Sequence, residues 1–170
     1  MSAALIFRPL VWGRDDAAVL GLMQRARDYV QLEGGRAPDA AKVAAFFTDC
    51  VPGGDLAQAV KLGLEEAGQL CGVAEMSFGY PEAGDAYIGL VMLDAAARGR
   101  GLGKRAVAHL EAIARQRGAT RMLVAVLKAN PKGLAFWQRE GFASEKVFPP
   151  QADDPLQHSR FRMTRAVSPA

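Results

Sequence analysis

Apolar positions recur along this chain with two different periods, and each change of period marks a change of element. "ALIFRPL" alternates and predicts a first strand. From residue 15 the spacing becomes helical through "AAVLGLMQRARDYVQL", with Asp15 or Asp16 as the cap and Gly34-Gly35 as the stop. A shorter helix follows in "DAAKVAAFFTDC", ended by "VPGG". The period then returns to two. "AVKLGLEE", "QLCGVAEMSFG" and "AYIGLVML" are strands separated by turn signals at Glu66-Ala67-Gly68 and "YPEAGD", and connections this short make them an antiparallel meander. A helix over residues 102 to 117, a strand "RMLVAVL", a helix from Pro131 and two terminal strands complete the order. The pattern is β-α-α-β-β-β-α-β-α-β-β. It predicts an α+β fold: a mixed, mostly antiparallel sheet of about six to seven strands flanked by about four helices, in one domain over residues 1–170.

Composition narrows the class. With 170 residues, half of them hydrophobic, the chain can bury a sizeable core. A net charge of +3, spread along the chain, requires no nucleic acid partner. "MSAALIFRPL" lacks a basic n-region, and Arg8 and Pro9 interrupt its apolar run. No run approaches the ~18 apolar residues of a membrane span. Cys50 and Cys71 have no metal-ligand spacing and read as thiols of a reducing compartment. The expectation is a cytoplasmic protein with no membrane or metal.

One short stretch carries chemistry. In "ARGRGLGKRA", three glycines and four basic residues (Arg98, Arg100, Lys104 and Arg105) lie between an apolar strand and a helix start. A helix start leaves backbone N–H groups unpaired at the positive end of its dipole, and glycine lets a bulky anion approach the backbone. The ligand expected here is a phosphate or pyrophosphate; the plainer alternative is a tight turn with solvated basic side chains. Gly101, Gly103 and Ala106 also satisfy the dinucleotide pattern G-x-G-x-x-G/A. That pattern needs a parallel βαβ unit and an acid about 20 residues on. "RMLVAVLKAN" supplies no acid, and the upstream strands form a meander.

Arg98-Gly99-Arg100-Gly101-Leu102-Gly103 instead resembles Q/R-x-x-G-x-G/A, the pyrophosphate loop of the GNAT superfamily of acyl-CoA-dependent N-acetyltransferases. "NPKGLAFWQREGF" is similar to that superfamily's second motif at Asn130, Ala135, Trp137, Gly141 and Phe142. The resemblance implies a GNAT-type fold and acetyl-CoA as co-substrate. It implies that Val91 and Leu93 offer backbone groups to the pantetheine arm, and that the amides of residues 98 to 103 hold the pyrophosphate with help from Lys104. It implies that Asn130 sits near the arm, and that the Leu93 amide faces the thioester carbonyl. Gly89 would mark a bulge that splays two strands, or would be a packing glycine.

Where many members of the family carry a tyrosine that protonates the departing thiolate, this chain has Trp137, whose indole donates a hydrogen bond but no proton at neutral pH. Trp137 is expected to pack beside the cofactor or in the core. Tyr87 and Tyr80 are alternative donors. For the base, strand alternation puts Glu75 on a face with Cys71, Val73 and Ser77, where burial would raise its pKa; a solvated or arginine-paired acid is the alternative. Asp85 shares its alternation with Tyr87, Val91 and Leu93 but is expected in the turn. His109 borders the apolar stripe of its helix and is expected at the surface, and His158 has no partner the sequence can name. By position, Asp28, Tyr29 and Glu33 could meet a cationic acceptor, with Tyr80 also in the acceptor set, and "PPQADDPLQ" could form a lid or a long turn.

The leading expectation is an enzyme that moves an acetyl group from acetyl-CoA to a primary amine, small molecule or peptide, by direct attack through a tetrahedral intermediate. No Cys–His pair is visible for a covalent route. A non-catalytic acyl-CoA sensor is the alternative and a nucleotide-dependent oxidoreductase the third. A homodimer stays open.

Overall fold

The computed structural model describes residues 4–170. Its strands are β1 Leu5–Pro9, β2 Val60–Glu66, β3 Gln69–Phe78, β4 Asp85–Leu93, β5 Arg121–Leu127, β6 Ala143–Phe148 and β7 Arg160–Ala166. Its helices are α1 Asp16–Arg25, α2 Arg27–Gly34, α3 Ala40–Thr48, α4 Leu102–Gln116 and α5 Pro131–Arg139. The strands form one sheet in the order β1-β2-β3-β4-β5-β7-β6. All neighbours are antiparallel except β4 and β5, which run parallel because α4 crosses over between them. The α+β, mixed and mostly antiparallel sheet expected from the pattern is therefore the observed one, with seven strands.

Each face of the sheet has its own core. On one, α4 lays down Leu102, Ala106, Val107, Leu110 and Ala114, a stripe at helical spacing, against Leu62, Leu64, Ala74, Met76, Ile88, Met122 and Val124. On the other, Val19, Leu22, Met23 and Val30 of α1 and α2 join Val43, Phe46 and Phe47 of α3 over Leu70, Val73 and Met92. Full burial of such side chains stabilises by about 1.5–3 kcal/mol each, which holds both layers on the sheet.

The single long helix read from residue 16 to Gly34 is two helices. Ala26, fully buried, leaves helical geometry at φ −110°, and its amide donates back to Leu22 and Met23. A one-residue break barely disturbs a 3.6-residue period, so the pattern does not register it. Side-chain capping by Asp15 or Asp16 also fails. The Asp15 carboxylate takes the Val11 amide at 2.7 Å and Arg8 at 2.9 Å, and Asp16 takes the Gly13 amide at 2.8 Å, so both acids close the loop before α1. The Arg8 guanidinium holds the Asp15 carboxyl down at about 2.

Two bulges overturn the faces read from alternation. Between β2 and β3 the register slips, Leu64 facing Gly72 but Glu65 facing Leu70. Cys71 consequently joins Ala74 and Met76 in the α4 core, while Val73 stays in the other core. Glu75 follows Val73 and not Cys71. Between β3 and β4, Glu75 faces Leu90 and Met76 faces Ile88, which leaves Gly89 as the extra residue. Beyond it Val91 and Leu93 pack on the α4 side, away from the face that Tyr87 shares with Ser77. Asp85 begins β4 and does not lie in the turn. It is almost fully buried because Arg121 takes both its oxygens at 2.8 Å.

Candidate active site

The Gly89 bulge positions everything that follows. β4 pairs with β5 only from Asp85↔Arg121 to Ile88↔Val124, although both strands continue. Past the bulge they separate. The Asp94 amide donates to the Cys71 carbonyl on β3 at 2.9 Å, and backbone direction alternates along a strand. The amides of Val91 and Leu93 therefore point the other way, into the gap that β5 has left.

A cavity of about 830 Å³ fills this gap and is lined by residues from both faces of the sheet. Its walls include Gly89 to Leu93 of β4, Val124 to Leu127 of β5, Phe136 and Trp137 of α5, and Asp28, Tyr29 and Leu32 of α2. At one end stands the glycine-rich turn. Gly99 and Gly101 have φ of 74° and 76°, and a Cβ built on either meets nothing within 4 Å. Gly101 is the N-cap of α4, and the first helical bond runs from the Arg105 amide to the Gly101 carbonyl at 3.2 Å. No amide from Gly99 to Lys104 has a protein acceptor among the described residues. A row of free amides at a helix start, with open space before it, fits a pyrophosphate. Gly103 serves a different end: a Cβ there would lie 3.0 Å from the Phe136 ring, so this glycine lets α4 and α5 approach.

The basic side chains of the turn divide. Arg98 lines the cavity, but its guanidinium is engaged elsewhere than at the turn's amides. It grips Asp28 of α2 with both terminal nitrogens at 2.6 and 2.9 Å, and its Nε donates to the Leu93 carbonyl at 3.3 Å. Arg100 pairs with Glu66 at 2.9 Å and stands outside the cavity wall. Lys104 lines the cavity and has no carboxylate partner among the described residues, and Lys132 and Arg139 of α5 line it too. The last two were not anticipated, because only the packing of α5 across from α4 brings them to the loop. Asn130 lines the wall and caps α5, its Oδ1 accepting the Gly133 amide at 3.0 Å. Trp137 is buried, edge-on to Phe136 and Phe142 with ring centroids 5.0 Å from each. Its indole N–H has no acceptor among the described residues.

Beyond the sheet, on the α1–α3 face, Glu75 stands against the bulge. A Cβ on Gly89 would lie 2.8 Å from Glu75 Oε1, so only glycine lets this carboxylate touch the β4 backbone. Burial pushes the Glu75 carboxyl above the usual carboxylate range, and the Lys61 ammonium, 3.2 Å away, pulls it back in part. Lys61 also donates to the Asp49 carbonyl at 2.6 Å and lies over the Phe46 ring. Glu75 is not itself a wall of the cavity; Gly89 stands between.

The remaining acceptor candidates scatter. Tyr29 lines the cavity, and its hydroxyl is pushed well up by burial. Asp28 lines it too, but its carboxyl, held at about 2, is occupied by Arg98. Glu33 is paired with Lys42 at 2.9 Å. Tyr80 and Tyr87 form a tilted pair with centroids 5.6 Å apart, away from the cavity wall. His109 is half-buried and stacked on Phe7 at 4.2 Å, with burial lowering its pKa. His158 has a partner after all: its Nε2 lies 2.6 Å from the Leu32 carbonyl of α2. Asp154 accepts from the Leu156 and His158 amides and from Arg160, so the "PPQADDPLQ" loop is folded back on its own end and on β7, and His158 next to it makes the contact with α2. Among the described residues no three His, Cys, Asp or Glu side chains cluster as metal ligands, and no helix is long and apolar enough to cross a membrane.

Comparison with known proteins agrees with this geometry. A profile of the Acetyltransferase (GNAT) family matches residues 23–142. No curated protein sequence matches significantly. Among solved structures, an acetyltransferase from Thermus thermophilus superposes with a TM-score of 0.77 at 23% identity, over 98% of this chain and 99% of that one. The ribosomal-protein-S18-alanine N-acetyltransferase of Escherichia coli gives 0.71 at 17%, over 98% and 96%. The PaiA N-acetyltransferase of Thermoplasma acidophilum, in complex with coenzyme A, gives 0.66 at 14%, over 96% and 99%. At these identities the likeness fixes the fold, while the profile covers most of the chain, including the splayed strand, the glycine-rich turn and α5. This chain belongs to the GNAT acetyltransferase family, the acetyl-CoA-dependent N-acyltransferases.

Proposed function

We propose that the protein transfers an acetyl group from acetyl-CoA to a primary amine in the gap between β4 and β5, with Glu75 as the base. The observation that carries this reading is the Gly89 bulge. It frees the Val91 and Leu93 amides on one side and seats a carboxylate of raised pKa on the other. Bound acetyl-CoA supplies an electrophilic thioester carbonyl and a thiolate leaving group. The Gly99–Lys104 amides and Lys104 bind the pyrophosphate, and the Val91 amide orients the pantetheine arm. The Leu93 amide is the donor placed for oxygen charge that develops on attack.

A protonated amine cannot attack, so a proton must leave it first. Glu75, directly or through one water, takes that proton; the nitrogen lone pair then forms the C–N bond as the carbonyl π pair moves to oxygen. When the carbonyl re-forms, the C–S bond breaks with its electron pair on sulfur, while the second amine proton leaves the nitrogen to water or to the departing thiolate. A thiol's reference pKa of about 8.5 makes thiolate a fair leaving group without a dedicated acid. Trp137, seated between Phe136 and Phe142, then acts in packing.

Glu75→Gln keeps the shape and removes the basicity. Turnover should fall by about a hundredfold or more with acetyl-CoA affinity nearly unchanged. Turnover within about threefold of the parent would assign the carboxylate a structural role. A parent that binds acetyl-CoA but releases no CoA with any amine of a broad panel would be a sensor.

A further inference from the structure

The α1–α3 helices do not cover the whole of their face. Their core contains no residue of β5, β6 or β7; on this face of β5 Leu123 and Leu127 are buried, and between them the exposed Ala125 forms a floor at the cavity wall. Arg162 stands on this floor, opposite Ala125 on β5 and Lys146 on β6. Its Nε donates to Glu145 at 2.9 Å and its guanidinium lies 5.3 Å from the Phe148 ring centre. The side chain is only 15% exposed, yet neither terminal nitrogen has an acceptor among the described residues, and neither is sealed from solvent. The neighbouring Arg160 differs: its terminal nitrogens are taken by the His158 carbonyl at 3.2 Å and by Asp154 at 2.9 Å.

The local charge favours an anion. Asp85 is held by Arg121, and Glu145 is shared by Arg121 and Arg162. Lys146, directly across from Arg162, has no carboxylate partner among the described residues, which leaves one cation in excess. Toward β4, the Tyr80 and Tyr87 hydroxyls have no protein partner among the described residues. Tyr87 lies across from Leu123, which lies across from Thr164, two residues along β7 from Arg162, so the Tyr87 and Arg162 side chains stand on the same face of the sheet; burial pushes the Tyr87 phenol up and the Arg162 charge opposes that. A free guanidinium fork beside two phenols matches a carboxylate, which takes two parallel N–H bonds from arginine.

We propose that Arg162, with Tyr87, anchors a carboxylate on the acceptor, so that the amine acetylated is that of a free amino acid. The proposal rests on the transferase reading above. β7 lies two strand spacings from β4, about 10 Å where the strands pair and more at Gly89, where β4 and β5 part, a span that an arginine side chain and an amino acid bridge together. The amino group then reaches Gly89 and Glu75 while the carboxylate stays on the fork. A peptide, whose first residue has an amide in place of the carboxylate, forfeits this contact.

Two measurements test it. In the first, CoA release is followed with the common L-amino acids, their methyl esters and short peptides. The free acid should exceed its ester in kcat/KM by about tenfold or more, and Arg162→Met should erase that advantage while leaving the ester within about threefold. Arg162→Lys, which keeps the charge without the fork, should fall between. In the second, N-acetyl-L-amino acids and their methyl esters are titrated calorimetrically into the CoA-loaded protein, which needs no turnover. The acids should bind more tightly, and Arg162→Met should weaken them about tenfold. Equal use of acids and esters, or equal losses on both in Arg162→Met, would overturn the proposal. Should the parent acetylate nothing, the transferase reading fails, and calorimetry still decides on Arg162: acids bound no better than esters refute the anchor.

Discussion

The two halves of β4 begin alike and end differently. From Asp85 to Ile88 the strand is zipped to β3 on one side and β5 on the other, and its one charged residue is locked by Arg121. From Gly89 to Leu93 it keeps β3 but loses β5, and a carboxylate from the neighbouring strand leans on its backbone. The first half has its backbone paired on both sides and its carboxylate clamped, and contributes stability. The second leaves amides free, which costs stability unless a ligand or water takes them. In this fold the ligand site is the stretch of sheet where pairing stops.

The largest expected effect breaks the open end. Gly101→Val puts a branched side chain into the cradle and should lower acetyl-CoA affinity by more than about a hundredfold, a loss of about 3 kcal/mol. Because Gly101 has a left-handed φ, backbone strain must be separated from obstruction. Gly118→Val is the control: it has the same φ of 76° and open space, but lies past the end of α4. It should lose similar stability and leave acetyl-CoA binding intact. Equal affinity loss in both variants would mean that strain, and not the cradle, was measured.

The closed end should respond in stability alone. Asp85→Ala removes a buried, doubly bonded carboxylate and should destabilise by about 2–3 kcal/mol, read by urea denaturation, with kcat within about threefold of the parent. The pH dependence has a definite sign. Arg121 holds the folded carboxyl below its usual range, so the pair's stabilisation is fully present above about pH 4 and is lost as pH falls through the lower, folded value. The variant should show a shallower loss of stability on acidification. A large fall in kcat would show that the closed end does more than clamp.

The smallest expected effect concerns Trp137. Its rings pack on Phe136 and Phe142, so Trp137→Phe should retain turnover within about threefold. A collapse beyond about a hundredfold, with folding and acetyl-CoA binding intact, would give the indole N–H a part in the chemistry.

Legibility from sequence followed locality. The glycine-rich turn could be read because everything it needs, from free amides to positive φ, lies within a few residues of the start of α4. The strand order and helix faces followed from periodicity. Alternation held for Glu75 with Val73 and Ser77 but failed at Cys71 and beyond Gly89, because a bulge shifts the count by one and inverts the side chains on its far side. The pairs Asp28–Arg98, Glu75–Lys61 and Asp85–Arg121 join distant segments, and no single stretch announces them. Arg162 escaped notice for the same reason: its meaning comes from β5 and β6 on either side, which its own neighbours in sequence do not reveal.

The central claim is that the open half of β4 and the row of amides after it receive the coenzyme. Amide hydrogen exchange, resolved by residue with and without CoA, tests this most directly. Without ligand the Val91 and Leu93 amides face the gap and should exchange fast, whereas Met92, directed toward Val73 on β3, should be protected throughout. On adding CoA, Val91, Leu93 and residues 99–104 should slow by more than about tenfold while Met92 changes little. If CoA binds and these amides exchange as before, the coenzyme lies elsewhere and the account of the splayed strand is wrong.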